Sequence, residues 1–500
     1  MDRSFLAECE REPLQFSGAI LAHGTLLVVA PDGRVSHVAA NVADWLGTPA
    51  EALLGLPAPE NMAAALLMLP PKAGSRLALE AALHAAIGLL DLVASRDEHG
   101  AAVVELMRHY PDAQPSCDPS VPDTPRDEAE LTAAEVELVR LIVEMTGFRR
   151  VMYYRFHEEG DGEVIAEARL DETYGSYLGL RFPASDIPLI ARVLYLKNPW
   201  RLIPDAASEP VPVLGREAAP PDLACSDLRS VSAVHRVYLT NMGVRASLSF
   251  PVIVGGTLIA LIACHHDVPQ QPSLAVLELA HHLVRGHANA VGAYQLRRRM
   301  RWLDGLERHL DAAKRLLQRH GDMLLAWPEL GTRLLREFKA DGVTLCLGES
   351  HSSAGQPFEA GALEALDGWF RARQGEFVWS SDSLSQQVPG YPLSEIVGAL
   401  AVRVKYGRTG DLRVYFCRLE HVHEVAWGGN PDKPVEYHDG AIGIAPRRSF
   451  EKWVEKRLGY SRPWDNEARL LGFKLRELLG GPIPAGIEPL WVGPSPQSAD

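Results

Sequence analysis

Residues 274–319 run as one helical pattern with few breakers. At 1.5 Å per residue such a helix spans roughly 65 Å, more than one domain needs. It therefore bridges domains or lines a dimer interface. Its periodicity is not clean enough to assign a coiled-coil seam. A chain of 500 residues is also too long for a single core and divides into about three domains. The expected architecture is several α+β domains, each a central antiparallel sheet with helices, joined by a long helix.

Residues 1–110 read as a small mixed domain. Strands over 25–29 and 35–38 flank a turn at Pro31-Asp32-Gly33, which is consistent with a PAS fold. Pro111, Pro115, Pro119, Pro122 and Pro125 mark residues 111–127 as a linker. Residues 128–305 open with an amphipathic helix over 129–146. Strands over 150–156 and 163–168, a Pro-rich loop over 209–221 and a helix over 231–242 follow. Residues 246–264 are apolar enough to resemble a membrane span. Pro251 and the Gly255-Gly256 pair interrupt them, and two apolar runs around Gly-Gly predict a hairpin instead. This domain resembles a GAF domain. Residues 306–500 form a third domain. Its segment over about 420–454 is weakly apolar and reads as a protruding arm. A helix over 470–479 ends at Gly480-Gly481-Pro482, and the Pro/Gly-rich end beyond it is expected to fray.

A hydrophobic content of 47% with 23% charge is that of an ordinary soluble protein. The net charge of −14 argues against nucleic acid as the main partner. Cys9, Cys117, Cys225, Cys264, Cys346 and Cys417 are widely scattered, as expected of reduced thiols in a cytoplasmic protein. Met1-Asp2-Arg3-Ser4 carries no signal-peptide pattern. No phosphate-binding loop, kinase nucleotide site, dinucleotide fingerprint or nucleophile elbow is evident.

The residues with chemistry to offer are few. In Arg181-Phe182-Pro183-Ala184-Ser185-Asp186-Ile187-Pro188 a carboxylate sits on a backbone that two prolines stiffen. Asp186 suits a buried ligand presenting N–H donors or positive charge. Alternatively, Ser185 or Asp186 caps a helix with Pro188 in its first turn. Arg229, Ser232, His235 and Tyr238 recur every three residues, which on a helix makes one stripe facing water or a polar ligand. Ser247 and Ser249 share one strand face. With Arg229, and with Arg201 as a second cation, they describe a carboxylate-binding patch. Cys264-His265-His266 invites a metal reading. Alternation puts His265 on the face opposite its neighbours, where it is a polar group entering a pocket or a satisfied core histidine. Tyr153, Tyr154, Phe156, Phe182 and Tyr195 offer aromatic walls or core packing. Cys9 lies among glutamates, which raise a thiol pKa. A ligand held beside it could offset that by proximity; otherwise it is an ordinary exposed cysteine.

Across nearly its whole length the chain resembles the photosensory core of a bacterial phytochrome, PAS–GAF–PHY. The resemblance rests on Cys9, the Asp186 octet, Asn241-Met242-Gly243-Val244-Arg245-Ala246-Ser247-Leu248 and Ile262-Ala263-Cys264-His265-His266. Trp427-Gly428-Gly429 and Pro446-Arg447-Arg448-Ser449-Phe450 match the family's PHY arm, the tongue. The resemblance implies a red/far-red photoreceptor that binds biliverdin IXα through a thioether at Cys9. Val234 stands where other family branches place their attachment cysteine. Asp186, Ile187 and His235 would meet the pyrroles. Arg201, Arg229, Tyr195, Ser232, Ser247 and Ser249 would hold the propionates. His265 would bond the ring D carbonyl, with Tyr154, Phe182 and Tyr238 around that ring. Trp427, Pro446, Arg447 and Ser449 would belong to the tongue switch, Arg447 pairing with Asp186 in one photostate.

The resemblance further implies a figure-of-eight knot between the N-terminal segment and the GAF domain. This chain has Ile20-Leu21-Ala22-His23-Gly24 where the family commonly carries Ile-Gln-Pro-His-Gly. It also implies a homodimer, an output module or response regulator outside this chain, no membrane and no nucleic acid. It implies no enzymatic turnover beyond autocatalytic bilin attachment. Competing readings are a non-photochemical GAF module for a cyclic nucleotide or haem, and a thiol hydrolase using Cys9 or Cys264.

Overall fold

The computed structural model describes residues 13–111, 122–157, 160–172, 175–216, 219–320, 323–406, 410–429, 437–438, 441–442 and 450–480. They belong to two compact units, residues 1–297 with 426–454 and residues 298–425 with 455–500.

The first unit opens with β1 (Ala19–Ile20), β2 (Gly24–Val29) and β3 (Val35–Ala39). Helices Val42–Leu46 and Glu60–Met68 come next, then β4 (Arg76–Ala85), β5 (Gly88–Arg96) and β6 (Ala102–Arg108). Side chains alternate across each strand, and both faces of this sheet are covered. Leu27 and Val29 pack with Trp45 and Met62 on the helical side. Leu26, Val28, Val93 and Val103 join a second core that continues into the next domain.

That domain begins with α1 (Glu128–Thr146). The Asp127 side chain accepts from the Glu130 N–H (2.9 Å), and Gly147 closes the helix in the left-handed conformation. The chain continues through β7 (Arg150–Phe156), β8 (Gly162–Arg169), β9 (Arg181–Phe182), α2 (Leu189–Tyr195), β10 (Arg201–Ile203), β11 (Val211–Gly215), α3 (Ala233–Asn241), β12 (Ala246–Val254) and β13 (Thr257–His266). The expected hairpin is present. Gly255 and Gly256 both take positive φ, 57° and 81°, as a two-residue primed turn requires. Pro251 lies beyond the β10 pairing, which reaches only Ser247, Leu248 and Ser249. One edge of β12 is open there, so a residue without an N–H is tolerated. Leu248, Phe250, Ile262 and Cys264 face a core built with α1 and with α4 (Leu274–His320). The helix expected over 274–319 thus exists as one unbroken element.

β11 leaves this domain to pair with both β1 and β3, adding a strand to the first domain's sheet. On its other side the β1 segment meets the chain again. Leu21 N–H donates to Leu228 O (2.7 Å), and Ser230 N–H donates to Ala19 O (3.0 Å). One excursion of the second domain therefore grips the N-terminal segment from both sides, with Ile20 and Leu21 buried. The resemblance puts Ile20 at the figure-of-eight crossing; residues 1–12 lie outside the described residues.

The second unit contains α5 (Met323–Phe338), β14 (Gly342–Leu347), β15 (Ser350–Gly355), α6 (Ala360–Ala372), β16 (Val378–Ser381), β17 (Ile396–Tyr406), β18 (Gly410–Leu419) and α7 (Asn466–Gly480). Its antiparallel sheet runs β15-β14-β18-β17-β16. Leu400, Val402, Val414 and Phe416 pack under α5 and α7, while Ala399, Ala401, Tyr415 and Cys417 pack under α6.

Candidate functional site

The face of β12 and β13 turned away from the core opens onto a cavity. Ser247, Ser249, Leu261, Ala263 and His265 line it from the sheet, alternating with Leu248, Ile262 and Cys264 behind them. The Asp186 segment, α2 and α3 form the opposite wall through Asp186, Ile187, Tyr195, His235 and Tyr238. Tyr154, Phe182 and Tyr177 close one side as an aromatic cluster, with Phe182 centroids 6.0 Å from Tyr154 and 5.8 Å from Tyr177. Arg201, Arg229 and Ser232 complete the lining. Every residue expected to touch a ligand, apart from Cys9 and the tongue, meets here.

The local structure differs from the expected stripe. α3 starts only at Ala233, and Ser232 is its N-cap, accepting from the Val234 N–H (3.2 Å). Arg229 lies in an extended stretch bridged to Ile20. The spacing of three is thus helical only from His235 to Tyr238, and a bent loop delivers Arg229 and Ser232. The capping alternative for the Asp186 segment also fails. Residues Ala184–Asp186 form a 3₁₀ turn, Pro188 holds the N-cap of α2, and no side chain caps either. The Asp186 carboxylate instead accepts from Tyr238 Oη (3.1 Å). Arg192, on the next turn, fixes that backbone by donating to Ile187 O (2.7 Å) and Gly160 O (2.6 Å).

The electrostatics are those of a site for an anion joined to an apolar body. Arg201 donates to Asp227 O (3.0 Å) and to Arg229 O, and burial lowers its pKa. Burial and the Arg201 charge pull Arg229 down to about 9. Its Nε has no partner among the described residues. A buried guanidinium in that state is complementary to a carboxylate. Tyr195, which burial pushes up, is hydrogen-bonded to Ser249. His235 is lowered to about 4 by burial and Arg201. His265 is lowered to about 3 by burial, Arg150 and His235. Both imidazoles are therefore neutral at physiological pH, each with one donor and one acceptor nitrogen. His265 Nδ1 has no partner among the described residues.

Other chemistries find little support. Cys264 faces the core, and burial drives its thiol pKa far up. No described cysteine lines the cavity. Among the described residues no group of His, Cys, Asp or Glu could hold a metal ion. The residues present fit a largely apolar ligand that carries carboxylates and polar N–H groups.

β19 (His423–Gly428) reaches this wall from the arm. Trp427 pairs in parallel with Arg181 of β9 and is buried. A Cβ on Gly428 would stand 2.5 Å from the Phe182 ring, so only glycine lets the strand lie this close. Phe450 meets Tyr238 edge-on at 5.2 Å. Cys9, Pro446, Arg447 and Ser449 lie outside the described residues.

Sequence reasoning missed several lining residues. Leu261 and Ala263 share the alternation of His265 and were legible from it. Leu14, Asn198 and Tyr177 arrive through tertiary folding and left no local signal.

Comparisons with known proteins agree with one another. Family models match as a PAS fold over residues 9–88, a GAF domain over 135–291 and a phytochrome region over 307–482. The chain is 32% identical to a bacteriophytochrome of Pseudomonas aeruginosa across 94% of its own length, and 31% identical to cyanobacterial phytochrome B of Nostoc across 95%. It spans 66% of the length of each of these relatives. Among solved structures, a bacteriophytochrome from R. palustris superimposes with TM-score 0.76 at 28% identity, covering 95% of this chain and 98% of that one. The Stigmatella aurantiaca phytochrome photosensory core gives 0.74 at 29%, covering 94% and 97%.

Proposed function

The chain belongs to the phytochrome family with the PAS–GAF–PHY architecture of a bacteriophytochrome photosensory core, and from that premise we propose that it is a red/far-red photoreceptor carrying biliverdin IXα. Once bound, that group supplies absorption of red light and a C15=C16 double bond whose photoisomerisation interconverts Pr and Pfr. The chain's own residues bind, orient and respond.

The observation that carries the proposal is the pair Arg201 and Arg229 lining a largely apolar cavity, with Arg229 Nε unpartnered among the described residues. These arginines, with Tyr195, Ser232, Ser247 and Ser249, are assigned to two propionate carboxylates. His235, Asp186 and Ile187 are assigned to the pyrroles, and His265 to the ring D carbonyl. Tyr154, Phe182 and Tyr238 wall in that ring. Cys9 is the attachment residue, alkylated once rather than turning over. Asp186, already held by Tyr238, is the carboxylate that exchanges partners with Arg447 and Ser449 when the tongue changes from hairpin to helix. Trp427 and Pro446 move with it. α4 carries the change toward a dimer partner and an output module outside this chain. Among the described residues no helix is long and apolar enough to cross a membrane; a cytoplasmic location is part of the proposal.

The test is an absorption spectrum of the protein mixed with biliverdin, taken before and after red light, followed by zinc-stained denaturing electrophoresis. A red band that shifts reversibly to the far-red, with an adduct lost in Cys9→Ser, is the expected result. Failure to bind biliverdin would overturn the proposal.

A further inference from the structure

β6 of the PAS domain reads Ala102-Val103-Val104-Glu105-Leu106-Met107, a lone carboxylate in the middle of a buried central strand. Glu105 is fully buried. Burial of a carboxylate is unfavourable unless hydrogen bonds replace its water. Here all the replacements come from one loop of the GAF domain. Oε1 accepts from Ser226 Oγ (2.5 Å) and from the Leu228 N–H (2.8 Å), and Oε2 accepts from the Asp227 N–H (3.1 Å). Ser226 Oγ in turn accepts from the Arg229 N–H (2.9 Å). The amide hydrogens of three consecutive residues, 227, 228 and 229, thus lead to one PAS carboxylate. The carbonyls of the same loop serve the cavity, because Asp227 O and Arg229 O both accept from Arg201. A second PAS residue, Arg76, holds the Asp227 side chain at 2.8 Å.

We infer that Glu105 is a positioning residue for the anion-binding end of the cavity, holding the 226–229 loop so that Arg229 and Arg201 present their guanidinium groups to a ligand's carboxylates. The inference rests on the proposed reading, in which those carboxylates are the propionates of biliverdin. Arg76, Arg201 and Arg229 surround the carboxyl groups of Glu105 and Asp227, so cations outnumber carboxyl groups and the cluster accommodates an added anion. Glutamine at position 105 would offer one carbonyl acceptor and one amide NH2 donor where two acceptors now meet three donors, and at least one loop donor would confront another donor. The PAS domain then does more than cover the GAF domain. It sets the geometry of the two arginines from behind.

A purely structural role predicts equal losses for all ligands, whereas positioning predicts a loss specific to carboxylates. The experiment compares the full chain's affinity for biliverdin and for its dimethyl ester, which lacks the two charges. Wild type is expected to prefer the acid. In Glu105→Gln that preference should fall roughly tenfold, the size of one weakened charge-assisted hydrogen bond, with ester binding little changed. Ser226→Ala keeps the carboxylate with its Asp227 and Leu228 amides and removes the hydroxyl that joins it to the Arg229 N–H, so it decides the question even if Glu105→Gln fails to fold. It should lower the preference in the same direction and by less. An unchanged acid-to-ester ratio in a folded Glu105→Gln, or in Ser226→Ala if the former does not fold, overturns the inference. Wild type that binds neither compound overturns the photoreceptor proposal and this inference with it, a result distinct from an unchanged ratio.

Discussion

The GAF sheet and the PHY sheet are built from the same parts and differ in what fills one face. In PHY both faces are closed. Phe416 stacks on Phe338 with centroids 3.7 Å apart. On the other face Tyr415 meets Phe370 edge-on at 6.0 Å and donates to Asp367 (2.6 Å). In GAF one face is closed in the same way by Leu248, Phe250 and Ile262. The other carries Ser247, Ser249, Ala263 and His265 at alternating positions. Two changes turn a packed face into a ligand chamber. Every second residue loses apolar volume, and loops from outside the sheet bring in charge. Neither change disturbs the backbone ladder, which is why one architecture can enclose a cavity in one domain and a solid core in the other.

The difference can be broken from either side. The largest effect is expected from Phe416→Ala, which opens a void under α5 and α7 and should cost about 3–5 kcal/mol, read from urea unfolding of the PHY transition. A loss below about 1 kcal/mol would mean that the PHY face is not tightly packed. Gly428→Ala comes next. Its Cβ would press on Phe182 at 2.5 Å, and overpacking of this kind costs about 1–3 kcal/mol. β19 should detach from β9, seen as faster amide exchange around Trp427, and unchanged exchange would show that the close approach is dispensable. Ala263→Leu makes the GAF face more like the PHY face. Filling the chamber should raise the melting temperature of the ligand-free protein, by about 1 kcal/mol of added burial, while blocking biliverdin. Normal loading in this variant would show that the sheet face does not bound the ligand.

The alternation behind that last variant was legible in the sequence. The period of two put Ser247 and Ser249 on one face of their strand and His265 on the face opposite Cys264 and His266; that these are the same face of the sheet follows from the pairing of Ser247 with His265. The long helix and the three-domain division were legible as well, because helical periodicity and chain length are local or global properties. The route of Arg229 into the cavity was not. Its spacing from His235 imitates a helix, but Glu105, a residue 124 positions earlier, satisfies the amides that would otherwise join one. Leu14 escaped for the same reason: the grip of residues 211–230 on the N-terminal segment is entirely non-local.

A last effect separates the two sheets by titration. Burial, aided by nearby cations, lowers His23, His235 and His265 to about 3, 4 and 3, and His281 and His287 behind the cavity to about 4. All five lie in the PAS–GAF unit. An unfolded histidine titrates near 6.5, so between these values the unfolded chain binds more protons than the folded one. The stability these groups confer is complete above about pH 6.5 and is lost as pH falls toward 4 and then 3, by at most about 1.4 kcal/mol per pH unit for each proton. Glu105 acts in the opposite sense. Burial and the Asp227 carboxylate push it up to about 7, so its contribution is present at low pH and fades as pH rises through 7. Unfolding curves of the ligand-free protein at pH 7.5, 6 and 5 should therefore show the PAS–GAF transition weakening with acid. His265→Gln should flatten that limb and Glu105→Gln should steepen it, with the PHY transition moving less in both. Identical slopes in the two variants would mean that these side chains do not titrate in the unit that holds the cavity, and that the chamber is wetter than its walls imply.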